Sequence, residues 1–325
     1  MLRQTFERSF GEPVVDVVWH GERAFVALGA GLVVLERGEV RQRFDVSVES
    51  LVPSEDGRSV LGVSPPPPRL GYFPRLKAGL PQVDPRARRV YRLADPWAAC
   101  LDLGAAPMEG WCGAFDGRYW VTYDGDFVDL HECAGAKLEP RARVETSWPH
   151  RIVRVPGGVW VETSSLGAQH FVILSVPGLS ELERGDLPRC AIEFPPEMVS
   201  HSAQAPTLAR PIFAVDAAAL PVTIEGGRDQ HHPIKNVHRV VTSDGRTVAT
   251  LPARSAGLAA SNERALVWCE TGAGLEFALV SLRAGRLESR FTLAGAAGGG
   301  GKLFGRDVVA WAGDTVRVFR DVGGA

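Results

Sequence analysis

The sequence has little lysine and no long hydrophobic run. Only four residues are lysine, and the 36 basic residues are balanced by 38 acidic ones, which gives a formal net charge of −2. That balance excludes a whole-molecule electrostatic attraction to nucleic acid or to an anionic membrane. No stretch of about 20 apolar residues occurs, and the first ten residues carry charges where a signal peptide is apolar. We therefore expect a cytoplasmic protein, and the preference for arginine over lysine suggests a bacterial source.

Cysteine is also scarce. The five cysteines are odd in number and have no C-x-x-C spacing, which excludes a disulfide framework and a zinc ribbon; they are Cys100, Cys112, Cys133, Cys190 and Cys269. We expect them to be buried free thiols.

Motifs of catalysis are missing as well. The sequence contains no Gly-x-Ser-x-Gly nucleophile elbow and no clustered pair of carboxylates. The glycine-rich stretch 294–302 is similar to a phosphate-binding loop, but Ala296 and Leu303 stand where that pattern needs Gly and Ser or Thr. We interpret the stretch as a flexible connection, and the absences together favour a non-catalytic protein.

What the sequence does contain is a repeat. A turn followed by arginine and a short β-prone run recurs five times, and two weaker copies fill the remaining gap. The corresponding positions are Arg23, Arg58, Arg118, Gly158, Arg210, Arg264 and Arg306. Their average spacing of about 47 residues lies within the range of β-propeller blades. Seven copies predict seven blades.

Each copy is followed by a β-hairpin with a glycine-containing turn, as in residues 31–44 and 276–291. With the strand before the marked position, a repeat has four strands, which we call a to d in chain order. Apolar periodicity typical of helices is almost absent. The sequence therefore predicts an all-β fold in which residues 1–325 form a single seven-bladed propeller of four-stranded blades.

The last repeat lacks its strand d, because the chain ends soon after the run 315–319. The segment Leu2–Phe6 is similar in pattern to the strand d of the first repeat, Val40–Phe44. We predict that an N-terminal strand within residues 2–10 completes the last blade, closes the ring and covers an edge that would invite aggregation.

Two repeats are overlong, and the extra residues, about 65–86 and 216–237, are expected between strands b and c. Connections b–c and d–a open on the same face of a propeller, so both insertions should lie on one face, opposite each other across the central channel. The first insertion has four consecutive prolines, which favour a stiff extended segment. Its aromatic and basic residues suit a protein-binding arm; the candidates are Arg69, Tyr72, Phe73, Arg75 and Lys77.

The second insertion is rich in histidine. Its candidate ligands for a divalent metal are Asp229, His231, His232 and His238. Imidazole and carboxylate groups bind zinc and similar ions, but the spacing matches no known ligand pattern. The segment His131-Glu-Cys133 offers similar groups at a predicted hairpin end. The isolated histidines, His170 among them, are interpreted as ordinary turn or strand residues, and most tryptophans as packing between blades.

Blade length, four-strand repeats and N-terminal closure resemble the WD40-like propellers, although the Gly-His and Trp-Asp dipeptides of that family are absent. The resemblance implies a protein-interaction scaffold without a cofactor, such as a subunit of a bacterial multi-protein system, including systems that contain an ATPase. Two alternatives stay open. One is a metal-dependent hydrolase or lactonase with its site at the channel mouth, and the other is a propeller that binds a sugar or another small ligand.

Overall fold

The computed structural model describes twelve segments of the chain. The segments are residues 2–54, 57–67, 87–94, 97–108, 114–155, 157–165, 168–186, 222–228, 236–242, 247–252, 256–260 and 264–321, the last with gaps at 282–283, 285 and 295–297. The described chain contains β-strands and no helix, and hence no helix that could span a membrane.

The strands are numbered in chain order. The first thirteen are β1 (Leu2–Ser9), β2 (Val14–His20), β3 (Arg23–Leu28), β4 (Gly31–Glu36), β5 (Glu39–Phe44), β6 (Ser50–Pro53), β7 (Ser59–Val63), β8 (Ala87–Ala94), β9 (Cys100–Pro107), β10 (Ala114–Phe115), β11 (Tyr119–Asp124), β12 (Phe127–Ala134) and β13 (Lys137–Glu145). The others are β14 (Pro149–Val155), β15 (Gly158–Ser165), β16 (Ala168–Ser175), β17 (Glu181–Asp186), β18 (Val222–Arg228), β19 (Asn236–Thr242), β20 (Thr247–Pro252), β21 (Ala256–Ala260), β22 (Arg264–Thr271), β23 (Gly274–Ser281), β24 (Arg286–Leu293), β25 (Gly299–Phe304), β26 (Asp307–Ala312) and β27 (Thr315–Asp321).

These strands form seven antiparallel sheets. Five are simple four-stranded meanders in chain order, β2–β5, β6–β9, β10–β13, β14–β17 and β21–β24. In the described residues the sheet β18–β20 has three strands, and the last sheet has the order β1-β27-β26-β25. The all-β, seven-bladed prediction is confirmed.

The marked turns locate strand b of the sheets. Strands β3 and β22 begin at Arg23 and Arg264, and β7, β11 and β26 begin one residue after Arg58, Arg118 and Arg306. The turn fixes the start of the strand, and the β-branched and aromatic residues that follow fill its buried positions. In β3 the five residues after Arg23 are all buried, whereas the outer strand β5 is exposed along most of its length.

Strand β1 supplies the fourth strand of the last sheet. It runs antiparallel to β27, with Leu2 opposite Asp321 and Ser9 opposite Thr315. Phe6 packs on Trp19 of the first sheet at a ring-centroid distance of 5.4 Å. The predicted replacement of the missing strand d is therefore observed.

By its internal contacts the chain divides into two compact units. Unit 1 comprises residues 1–29, 35–39 and 190–325, and unit 2 comprises residues 30–34 and 40–189. The core of each unit lies between consecutive sheets. In unit 2, Trp120 and Val63 pack between sheets β6–β9 and β10–β13. In unit 1, Phe277 and Val308 pack between sheet β21–β24 and the last sheet.

Two sequence interpretations need correction. The span 216–237, interpreted as an insertion, contains β18, which pairs along its whole length with β19; hydrogen bonding to a neighbouring strand makes part of it sheet. The glycine-rich stretch is not flexible throughout either, because residues 299–302 pair with β26 as strand a of the last sheet. A Cβ at Gly301 would lie 2.6 Å from a methyl carbon of Leu266, so the close packing of this side chain from the neighbouring sheet favours glycine there.

Candidate functional site

The first predicted insertion lies between strands b and c of its sheet. Strand β7 ends at Val63 and β8 begins at Ala87. The candidate partner-binding residues all lie outside the described residues, namely Arg69, Tyr72, Phe73, Arg75 and Lys77. The structure does describe the two ends from which this segment leaves the sheet.

Those two ends are bonded to each other and to the sheet. Ser64 donates its backbone N–H to the carbonyl oxygen of Arg89 at 2.9 Å, and the Ser64 hydroxyl accepts the N–H of Arg89 at 2.9 Å. Next to them, the largely buried Arg88 forms a 2.7 Å ion pair with Glu49. Burial raises the pKa of the Glu49 carboxyl, and Arg88 opposes that rise. The segment 65–86 therefore starts and ends at fixed points of the sheet surface.

The same end of the next sheet carries a second group of residues. Connections b–c and d–a lie at one end of an antiparallel four-stranded sheet, which we call the b–c end. In sheet β10–β13 these connections are bonded, because Asp126 accepts the backbone N–H of Thr146 on its carbonyl oxygen at 2.6 Å. The carboxylate of Asp126 accepts the N–H of Trp148 at 3.3 Å. The b–c turn thus positions the connection to β14.

Trp148 is the most unusual residue of this end. It is 71% exposed and has a backbone φ of 43°. The left-handed region is unfavourable for a bulky side chain and is typical of turns and functional sites. Trp97 also has a positive φ, of 68°, but it is 7% exposed, so its packing compensates for the strain. Trp148, in contrast, keeps most of its surface exposed to solvent.

A groove of about 290 Å³ lies beside Trp148 at the b–c end of sheet β14–β17. The connection from β13 contributes Thr146 and Ser147, β15 contributes Thr163, and β16 contributes His170. These residues sit together because Thr163 is opposite His170 in the strand register. The groove is therefore rich in side chains that form hydrogen bonds.

The outer strand β17 adds charged groups to the groove. His170 lies opposite Asp186, and its Nδ1 is 2.7 Å from the Asp186 carboxylate, whose side chain is 88% exposed. Arg184 also lines the groove, but Glu181 holds its guanidinium through two hydrogen bonds of 3.1 and 2.7 Å. That interaction lowers the pKa of Glu181 and raises the pKa of Arg184. Among the described residues, only one oxygen of Asp186 is hydrogen-bonded, and the other can accept a bond from a ligand.

The proposed metal ligands lie where the structure describes no side chains, so the metal site stays a prediction. Asp229, His231 and His232 lie outside them, and His238 is on β19, where only the backbone is described. Within the described segments, no three His, Cys, Asp or Glu residues form a group that could hold a metal ion.

His131 and Cys133 lie near the end of β12, beside the turn to β13 as predicted, and their side chains are buried. His131 is buried within β12 and packs on the indole of Trp120 at 5.6 Å between ring centroids. Within the described part of the chain, neither ring nitrogen has a hydrogen-bond partner. Burial lowers the pKa of His131 to about 4 and raises the pKa of Cys133 to about 12. Both side chains belong to the core because β12 is an inner strand.

Comparison with known proteins agrees on the architecture. The chain is similar to the β-propeller domain of Cps50 (Swd1) from Myceliophteria thermophila, with a TM-score of 0.58 and 9% sequence identity over 98% of this chain and 100% of that one. It is also similar to the RRP9 WD40 repeats, with a TM-score of 0.53 and 11% identity over 98% and 97% of the two chains. The chain has a WD40-like β-propeller fold. No family model and no curated protein matches the sequence.

At such low identity the functions of individual residues cannot be inferred from these WD40-like structures, so the site of this propeller is defined by its own side chains. Sequence reasoning missed Trp148 and His170. Both lie outside the repeated pattern, and the pairing of His170 with Asp186 depends on which residues of β16 and β17 are opposite. One sequence feature could have pointed to Trp148. The segment Thr-Ser-Trp-Pro, residues 146–149, is not repeated elsewhere in the chain, and its tryptophan lies in a d–a connection and not in a strand.

Proposed function

We propose that this propeller is a non-catalytic protein-interaction scaffold and a cytoplasmic subunit of a bacterial multi-protein system. Its partner docks on the b–c ends of the sheets of unit 2. The docking surface comprises Trp148, the adjacent groove and the segment 65–86. Arg69, Tyr72, Phe73, Arg75 and Lys77 are the contact residues proposed on that segment.

The exposed indole of Trp148 carries this proposal. Tryptophan is among the residues most enriched at the energetic centre of protein interfaces, because it buries a large area at a small entropic cost. Here Asp126 holds the backbone of Trp148 in the left-handed region, and most of the residue stays exposed to solvent. A partner that covers the ring would bury a large apolar area at a fixed position.

The bonded ends of segment 65–86 support the same surface. A binding arm loses less entropy on association when its ends are fixed in advance. The Ser64–Arg89 bonds and the buried Arg88–Glu49 pair fix both ends at the b–c end of unit 2. Prolines in the arm restrict it further. WD40 repeats and propeller domains of known structure provide the same architecture for the scaffold.

The test is cross-linking and affinity purification of the tagged protein from its own source organism, followed by quantitative mass spectrometry. One variant replaces residues 65–86 by Asn-Gly, a turn that can join the neighbouring ends of β7 and β8. The other is Trp148→Asn, because asparagine tolerates the left-handed conformation. The control is Leu287→Ala, which removes an exposed apolar side chain of unit 1.

We expect both variants to lose the same partner at least about ten-fold while their melting temperatures stay within about 2 °C of the wild type. A ten-fold loss corresponds to about 1.4 kcal/mol of binding free energy, which is typical of a central tryptophan. The control should recover the partner as the wild type does. Equal recovery by all variants would contradict the proposal.

A further inference from the structure

We propose that the groove beside Trp148 binds one basic side chain, an arginine or a lysine, of the docking protein. The inference deepens the proposed function and rests on it only for the source of the side chain. It starts from Asp186, whose exposed carboxylate projects from the outer strand β17 into the groove.

The charges of the groove favour a cation. Arg184 is already held by Glu181 through two hydrogen bonds, so these two side chains neutralise each other. His170 occupies one oxygen of Asp186, at 2.7 Å, and fixes the orientation of the carboxylate. The second oxygen can accept a charge-assisted hydrogen bond, the strong kind that arginine and lysine donate to carboxylates.

The remaining lining fits the same ligand. The hydroxyls of Thr146, Ser147 and Thr163 can accept further N–H groups at short range. Phe171 and Val172 provide an apolar wall for the aliphatic part of a long basic side chain. Trp148 follows Ser147 directly and offers an exposed indole, the best aromatic partner for a cation.

The size and position of the groove suit a single inserted side chain. Its volume of about 290 Å³ is at the lower limit of small-molecule sites and fits a single side chain. It lies at the edge of the sheet, next to the d–a connection, where a protein docked on Trp148 would reach it. One basic residue inserted there would fix the orientation of the docked protein, in addition to its contact with the indole.

The test uses small probes, so it does not depend on the identity of the partner. N-acetyl-arginine amide and N-acetyl-lysine amide are titrated into the intact protein while the indole N–H of Trp148 and the imidazole of His170 are followed by NMR. N-acetyl-norleucine amide has an aliphatic chain without charge, and N-acetyl-glutamate amide has the opposite charge. The variants are Asp186→Asn and, as a matched control on the same strand, Glu183→Gln, whose side chain does not line the groove.

We expect at least one basic probe to shift both signals with a Kd on the order of millimolar, and the neutral and acidic probes to leave them unchanged. Asp186→Asn should weaken that binding at least about five-fold, and Glu183→Gln less than about two-fold. The stronger of the two basic probes identifies the side chain. Equal shifts with the norleucine probe, binding of the glutamate probe in place of the basic ones, or an unchanged Kd in Asp186→Asn would each overturn the inference.

The two proposals can fail separately. If the basic probes do not bind but Trp148→Asn still loses the partner, the scaffold stands and the groove is not its cation site. If the probes bind as expected and no partner depends on Trp148, the groove is a cation site that protein docking does not use, and the inference about the partner is wrong.

Discussion

The indole N–H of Trp19 donates a 3.0 Å hydrogen bond to the carboxylate of Asp307, and this bond joins the first sheet to the last. The same carboxylate accepts two hydrogen bonds from Arg320, at 2.7 and 2.9 Å. An ion pair also joins the two sheets, from Lys302 of the last sheet to Asp16 of the first at 2.7 Å. Polar bonds to the buried carboxylates of Asp16 and Asp307 thus accompany the pairing of β1 with β27 in unit 1.

Replacing Asp307 by alanine should destabilise the protein by about 2–4 kcal/mol. The substitution leaves the buried indole N–H of Trp19 without an acceptor and removes two charge-assisted hydrogen bonds from Arg320. The measurement is the free energy of unfolding from urea denaturation. Glu288→Ala, which removes an exposed carboxylate of the same unit, is the control and should change it by less than about 0.5 kcal/mol. A loss in Asp307→Ala no larger than in this control would show that the bond contributes little.

Gly301 tests the correction of the glycine-rich stretch. Gly301→Ala should cost about 1–3 kcal/mol, because the new Cβ would lie 2.6 Å from Leu266 and 3.1 Å from Phe277. Gly272→Ala is the matched control, since a Cβ at that turn meets nothing within 4 Å. Thermal unfolding of the two variants distinguishes the interpretations: a flexible connection would accept both alanines equally.

Much of the fold could be predicted because its signals are local. The turn residues before Arg23 and Arg264 mark the start of strand b. The β-prone residues that follow them form the strand itself. The pattern shared by Leu2–Phe6 and the first strand d predicted the pairing of β1 with β27. Residues 299–302 were misread because glycine is typical of loops. Their pairing with β26 makes them a strand, and the packing of Leu266 against Gly301 leaves little room for a side chain there.

The candidate site was less accessible from the sequence. Trp148, His170 and Asp186 are remote in sequence, and their significance depends on exposure and on strand register. Neither quantity can be read from composition. The burial of His131 was not predicted for a related reason, since a histidine in a β-prone run can face either water or the core.

The buried imidazole of His131 predicts a pH dependence of stability. Its pKa is about 4 in the folded protein and about 6.5 when unfolded, so the unfolded chain binds more protons between these values. The free energy of unfolding should therefore fall as the pH drops from about 6.5 to 4, by up to roughly 3 kcal/mol from this group. Below pH 4 both states are protonated, and its contribution no longer changes.

His131→Leu should remove this part of the pH dependence and leave stability near pH 7 unchanged or higher, because neither ring nitrogen has a hydrogen-bond partner to lose in the described structure. Urea denaturation at several pH values between 4 and 7 measures the slope. An identical slope in His131→Leu would show that another group is responsible.

The pairing of β1 with β27 also governs the order in which the molecule can be assembled. The hydroxyl of Thr5 bonds to the backbone of Val318, 313 residues later in the chain. During synthesis β1 leaves the ribosome long before its partner exists, so it must remain extended and unpaired while the intervening sheets form. Contacts so distant in sequence slow folding, since the loop entropy is lost before the contact can compensate. The charged residues of β1 are Arg3, Glu7 and Arg8, and they would oppose aggregation of the strand until β27 is available to pair with it.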